Sequence, residues 1–226
     1  MIQVLFLFIC TSAALPQKSK TAFGIFSGVS LNTNTYSFEA GGNLPDTSYS
    51  NDIKYAFNLG MFIAYDLSDN FGIKFQGQYT NKGGISESGT FYSTDLTAIS
   101  RTYTNTINYF QFALLPQLNL PFSENTPDNK AYFNAGGYLS LMLSATENID
   151  NETLFQYLNR KKNISNSISG TDAGLIFAAG IVYKGFLFDI RYDLGLSDIT
   201  DVPALTDILS IKNRSINFSI GWTGGF

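Results

Sequence analysis

The stretch S-I-N-F-S-I-G-W-T-G-G-F, residues 215–226, decides the fold. Ile216, Phe218, Ile220, Trp222 and Phe226 occupy even positions, and Ser215, Asn217, Ser219, Gly221 and Thr223 occupy odd ones. Alternation with a period of two describes a β-strand with one greasy face and one small polar face. A soluble sandwich strand shares the alternation but rarely ends a protein on an exposed Phe. A strand whose apolar face meets lipid, and which pairs with the first strand to close a barrel, accounts for both features.

Composition points the same way. Charged residues make up only 14% of the 226, against about 25% in an average soluble domain. Aromatics reach 15%, yet the mean hydropathy is only +0.02. After the N-terminal stretch, no apolar run approaches the roughly 20 residues of a membrane helix. Alternating strands reconcile these facts, because apolar and polar positions cancel in the mean. A net charge of −4 argues against a nucleic-acid partner. There is no histidine, which removes imidazole base catalysis and the commonest metal ligand. The sequence shows no phosphate loop, metal-ligand spacing or nucleophile–base pair. No catalytic residue, cofactor or metal is therefore expected.

Residues 2–10, I-Q-V-L-F-L-F-I-C, form a short apolar core, followed by the small residues Thr11, Ser12, Ala13 and Ala14. This predicts a secretory signal peptide over 1–17, cut near Ala14, ahead of a barrel over 21–226. No Lys or Arg precedes the apolar run, which departs from the usual pattern. A lipoprotein anchored at Cys10 is the alternative, and the bulky Ile9 disfavours it. Removing the segment removes the only cysteine, which suits an oxidising compartment without disulfides.

Eight alternating segments follow, at 22–32, 53–66, 71–80, 106–120, 131–144, 172–183, 186–196 and 215–226. Each is about 10 to 14 residues, enough to cross a hydrocarbon core when tilted. Pro116 predicts a bulge or kink in the fourth. Lys184-Gly185 reads as a two-residue hairpin turn. The connections alternate long and short, with long loops at 33–52, 81–103, 145–171 and 197–212. That rhythm predicts an all-β, eight-stranded antiparallel up-and-down transmembrane β-barrel, with short periplasmic turns, longer external loops and both ends periplasmic. A soluble, periplasmic lipocalin-like ligand-binding barrel is the alternative. It would put its large apolar residues inside and its charges outside.

Two resemblances add to this reading. The ending, with Ile216, Phe218, Ile220, Trp222 and Phe226, resembles the C-terminal signal read by the barrel assembly machinery of Gram-negative bacteria. The stretches F-A-L-L-P-Q-L-N-L (112–120), Y-F-N-A-G-G-Y-L-S-L-M-L-S-A (132–145), D-A-G-L-I-F-A-A-G-I-V-Y (172–183) and F-D-I-R-Y-D-L-G-L-S-D-I (188–199) resemble the PorT-like outer-membrane β-barrels common in Bacteroidetes. The resemblance implies an eight-stranded outer-membrane barrel and no defined activity. One branch of that family is linked to secretion across the outer membrane.

Two sets of charges are candidate sites. The seventh segment places Asp189, Arg191 and Asp193 on the lumen face, and the third adds Lys74 from across the barrel. Buried charges in a narrow lumen must be paired, so a salt-bridged plug is expected, with a small polar conduit as the sharper alternative. Arg160, Lys161 and Lys162 fall in the third long loop, where they would meet lipopolysaccharide headgroups or an acidic partner, or be merely solvated. The expected role is structural or accessory to transport or secretion, with external loops for an unidentified envelope partner. The expected surroundings are outer-membrane lipid and lipopolysaccharide.

Overall fold

The computed structural model describes residues 21–38, 47–92, 98–122, 129–153, 157–200 and 208–225. The signal segment, its cleavage site and Phe226 lie outside the described residues. The chain forms β1 (Thr21–Phe38), β2 (Thr47–Ser50), β3 (Lys54–Asp66), β4 (Phe71–Lys82), β5 (Ile85–Tyr92), β6 (Ala98–Pro121), β7 (Lys130–Thr153), β8 (Tyr157–Asn163), β9 (Thr171–Tyr183), β10 (Phe186–Gly195) and β11 (Ile208–Gly225). A 3₁₀ turn occupies Ser165–Ser167.

Eight of these strands close a ring in the order β1-β3-β4-β6-β7-β9-β10-β11, with β11 paired back to β1. Every pairing is antiparallel. Ile216, Phe218, Ile220 and Trp222 of the decisive stretch lie opposite Leu31, Val29, Ser27 and Ile25 of β1, so the closing seam is continuous. Following the register once round links Phe23, Ile63, Phe75, Leu114, Gly137, Leu175, Leu194, Arg214 and Thr33. The circuit returns from position 23 to position 33, a stagger of 10 residues. Eight strands with that stagger tilt by about 40° and leave an interior only side chains can fill.

The side chains are inverted relative to a soluble barrel. Phe57, Leu139, Ile190 and Ile220 are 54%, 49%, 57% and 62% exposed, while Lys74 and Arg191 are each 3% exposed. The lipocalin-like alternative requires the opposite. Tyr65, Phe71, Phe122, Tyr183, Phe186 and Trp222 point outward around the end bearing the short turns. This is an aromatic girdle at the membrane interface. Above it, described outward positions carry no charge until Arg214, a band of about 25 Å.

The turns explain the register. Lys184 (φ 50°) and Gly185 (φ 83°) both adopt positive φ, as a type I′ hairpin needs, and Tyr183 pairs directly with Phe186. Pro116 causes neither bulge nor slip, contrary to expectation. The β6–β7 register is the same on both sides of it, and the ladder only skips from the Leu114–Gly137 pair to Gln117–Asn134. The pyrrolidine faces out at a site where no amide proton is available to the ladder. The bulge lies instead between Asn108 and Tyr109, where β7 carries the extra residue.

The expected strand lengths and long loops need correction. β6 and β7 run 24 residues each, and β1 and β11 run 18. Residues 98–103 and 145–153 were expected to be loop, yet they continue their strands above the membrane and pair with each other. β5 then lines the outer edge of β6, and β8 that of β7. The result is a four-stranded sheet, β5-β6-β7-β8, standing on the barrel rim. Thr and Tyr in these stretches pack well on a pleated surface, so pairing persists where lipid ends.

Candidate functional site

The lumen is closed at successive levels. Its floor is apolar and aromatic: Phe26, Phe62, Ala64, Tyr132, Val182 and Leu187 form one buried cluster. The inner wall is therefore more bulky and apolar than the Gly, Ser and Asn face read from the sequence. Glycines make room for it. A Cβ at Gly60 would overlap the Phe26 ring, and one at Gly24 would overlap the Phe62 ring.

The four lumen charges read from sequence split into two groups. Lys74 lies 4.5 Å from the Phe62 ring centre and 5.1 Å from that of Tyr132. The Tyr132 hydroxyl donates to Asp189 at 2.6 Å. Lys74 is thus held by aromatic faces beside the Tyr132–Asp189 pair. Higher up, Arg191 Nε lies 2.8 Å from Asp193 Oδ1, and both side chains are almost fully buried. Arg191 also donates across the barrel to Gln78 at 2.8 Å, and Gln111 donates to Asp193 at 3.2 Å. β4 and β10 are diametrically opposite in the ring, so this bond spans the lumen.

A third level escaped the sequence reading. Lys82 and Asp172 form a fully buried ion pair at 3.0 Å. Asp172 also accepts from Asn213 at 3.0 Å, Ser197 at 3.0 Å and Tyr138 at 3.2 Å. The ammonium group of Lys82 sits 4.2 Å above the Tyr138 ring. Both charges had been assigned to other roles, Lys82 to a loop and Asp172 to a strand end. Parity was the available signal. Lys82 continues the even series Lys74, Gln76, Gln78, Thr80, and Asp172 shares its face with Ile176 and Val182.

Two further groups close the mouth. Lys54 donates to Asn81 Oδ1 and Thr106 Oγ1, each at 2.7 Å, and to the Asn105 carbonyl at 3.1 Å. The segment after β10 folds over the top, where Ile199 is fully buried with Ile107, Tyr109 and Ala145. Its backbone is fixed by Ser169 N–H to Ile199 O and Ile199 N–H to Ile211 O.

Arg160, Lys161 and Lys162 are exposed, but on β8 rather than in an irregular loop. They do not form one patch. In register, Arg160 faces Ile149 and Lys162 faces Glu147, while Lys161 faces Asn148 from the other side of the sheet. Among the described residues β8 pairs with β7 alone, so these charges decorate the edge that no described strand covers. Among the described residues, no group of three or more His, Cys, Asp or Glu side chains is placed to hold a metal ion.

The model of the outer membrane protein beta-barrel domain matches residues 14–201. The chain belongs to that family. Membership places it in the outer membrane of a Gram-negative cell and agrees with the inverted surface described above. No curated protein matches the sequence. Among solved structures, the chain is similar to Ail, the attachment invasion locus protein of Yersinia pestis, solved in complex with the heparin analogue sucrose octasulfate. The identity is 15%, covering 91% of this chain and 99% of Ail, with a TM-score of 0.38. It is also similar to OprG of Pseudomonas aeruginosa, at 12% identity, 92% and 98% coverage and a TM-score of 0.46. A third likeness is to the outer membrane protein AlkL in DMPC bilayers, at 14% identity, 95% coverage of each chain and a TM-score of 0.39.

Proposed function

We propose that this barrel is a closed, non-enzymatic outer-membrane platform, structural or accessory to transport or secretion, which presents its external sheet to an envelope or extracellular partner. The observation that carries the reading is the stack of lumen contacts under the Ile199 cap: the half-buried Tyr132–Asp189 bond, the buried Arg191–Asp193 pair bonded across the lumen to Gln78, and the buried Lys82–Asp172 pair. Removing several such pairs at once costs more than a thermal fluctuation supplies, so the resting barrel does not conduct. With the lumen filled, the described residues that extend furthest beyond the rim to meet a partner are those of the β5-β6-β7-β8 sheet.

Within the family we assign the chain to the PorT-like barrels of Bacteroidetes. The support is the R-Y-D-L-G-L stretch at 191–196, whose Arg191 and Asp193 form the central ion pair while Tyr192 and Leu194 take the alternate, outward parity. The C-terminal strand fits recognition by the barrel assembly machinery, since Ile216 to Trp222 present an unbroken outward apolar row.

Two measurements test the platform reading. In planar bilayers the purified protein should give no stepwise conductance, and reproducible steps would sink the closed-lumen reading. Crosslinking in native membranes should capture a partner that is lost when residues 85–92 and 157–163 are replaced by short turns. Capture that survives the replacement would remove the sheet as the presenting element.

A further inference from the structure

The lipid-facing rim at the external end is asymmetric. On one side, β4, β6 and β7 present a neutral belt. Tyr79 and Asn81 each donate to Asn108 Oδ1 at 2.7 Å, and Asn108 donates to Ser144 at 2.9 Å. These groups satisfy one another. Directly across the ring, β11 presents two cations instead. Lys212 and Arg214 share the outward parity of Ile216, Phe218, Ile220 and Trp222, so both point away from the lumen where the apolar band ends.

The surroundings of this pair differ from those of the lumen cations. Lys54, Lys82 and Arg191 have oxygen partners, and Lys74 lies over the Phe62 and Tyr132 rings. Among the described residues, Lys212 and Arg214 have no hydrogen bond or ion pair. Their cross-strand neighbours are Thr35 for Lys212, and Thr33 and Leu194 for Arg214, none of them acidic. Asp198 Oδ1 accepts from the Ile211 and Thr200 amides and the Thr200 hydroxyl, and the Asp198 carboxylate makes no ion pair with either cation. Two adjacent, unneutralised cations at headgroup height, fixed on a rigid strand, are a geometry for a phosphate that itself lies in the membrane plane.

We infer that Lys212 and Arg214 bind the phosphate of an anionic glycolipid of the outer leaflet, holding it against the β1–β11 seam. The guanidinium takes two phosphate oxygens and the ammonium neutralises the remaining charge. The acyl chains then lie along Ile216, Phe218 and Ile220. This inference rests on the outer-membrane placement and not on the closed lumen or the partner proposed above. It also separates this pair from Arg160, Lys161 and Lys162, which stand above the rim on a free edge and divide between two faces.

The test uses the full mature barrel in nanodiscs of neutral phosphatidylcholine doped with bisphosphorylated lipid A. Lipid retained through detergent exchange is counted by native mass spectrometry. Wild type should retain lipid A. The Lys212→Gln/Arg214→Gln protein should retain roughly tenfold less or lower, as expected for two surface charges. Arg214→Lys should fall between them, and Arg160→Gln/Lys161→Gln/Lys162→Gln should match wild type. Heat-modifiable gel mobility confirms that each variant is folded. If the double variant does not fold, the Arg214→Gln single variant carries the test, with an intermediate loss expected. Equal retention by the charge-removed variant overturns the inference, and so does equal retention of dephosphorylated lipid A. Binding of inorganic phosphate to the protein in neutral nanodiscs, abolished by the same substitutions, would make the pair a soluble-anion site and equally overturn the assignment to lipid.

Discussion

Lys82 of β4 reaches Asp172 of β9 at 3.0 Å with both side chains buried, and that ion pair ties two strands that are not neighbours in the ring. The tie matters because neither strand contacts the other through its backbone. Burying two charges is expensive, and only mutual pairing together with Asn213, Ser197 and Tyr138 offsets the desolvation. Asp172→Ala should therefore destabilise the barrel by about 3–5 kcal/mol, because it strands a buried ammonium. Replacing both members with Lys82→Met and Asp172→Leu should recover most of that loss. Urea unfolding in detergent micelles, followed by Trp222 fluorescence, reads both. A double variant no more stable than the single one would show that the pair contributes more than the charge it neutralises.

The floor of the lumen makes a sharper steric prediction. Phe26 lies opposite Gly60 across the β1–β3 ladder, and Gly24 lies opposite Phe62. Each ring covers the glycine facing it. Gly60→Ala has no space, since its Cβ would also meet Gln78 and the Gly77 carbonyl. The expected cost is about 1–3 kcal/mol of overpacking. Gly137→Ala is the matched control: it faces lipid, and its Cβ would meet only the Gly174 carbonyl at 3.8 Å. It should change stability by no more than about 0.5 kcal/mol. Equal effects at the two sites would refute the packed floor.

Depth in the membrane makes a third prediction. Ile190 lies near the middle of the outward apolar band and is 57% exposed, whereas Tyr55 stands near its external end. Ile190→Arg should cost about 2–4 kcal/mol, and Tyr55→Arg about 0–1 kcal/mol. Refolding titrations into lipid vesicles supply both values. A soluble barrel would tolerate either change on its surface, so a small effect at Ile190 contradicts lipid contact.

The eight crossing segments were legible because the membrane imposes two solvents on one strand. Lipid outside and a packed lumen inside force a period of two, as in Phe71, Ile73 and Phe75 against Lys74 and Gln76. Above the rim that asymmetry disappears. Thr102 and Thr104 are half-buried, as Tyr103 is, so the alternation fades and the stretch reads as loop although its strand continues. The buried pair at Lys82 and Asp172 was legible in principle. Lys82 lies two residues past the segment 71–80 and Asp172 opens the segment 172–183, so parity placed both on the lumen face, and the habit of ending a strand where apolar residues stop concealed Lys82. The β7 bulge was not legible. It turns Met142 toward the lumen cap while Leu143 stays 60% exposed, and that choice depends on the partner strand.

The free edge of β8 explains why Arg160, Lys161 and Lys162 occur where they do. A seven-residue strand with one edge unpaired among the described residues offers backbone donors and acceptors to any extended segment. Three successive cations make edge-to-edge pairing of two copies costly, because like charges would face each other across the new ladder. We expect the charges to act against self-association, a role that requires no ligand. Replacing all three with Thr keeps the β-propensity and removes the repulsion. The variant should fold normally by heat-modifiable mobility yet form dimers and larger species in light scattering, increasingly so with concentration. Adding salt to wild type should produce a weaker version of the same shift, since screening acts on exposed charges. A triple-Thr protein that stays monodisperse at every concentration would mean that the edge is already covered, and the charges would then need a different explanation.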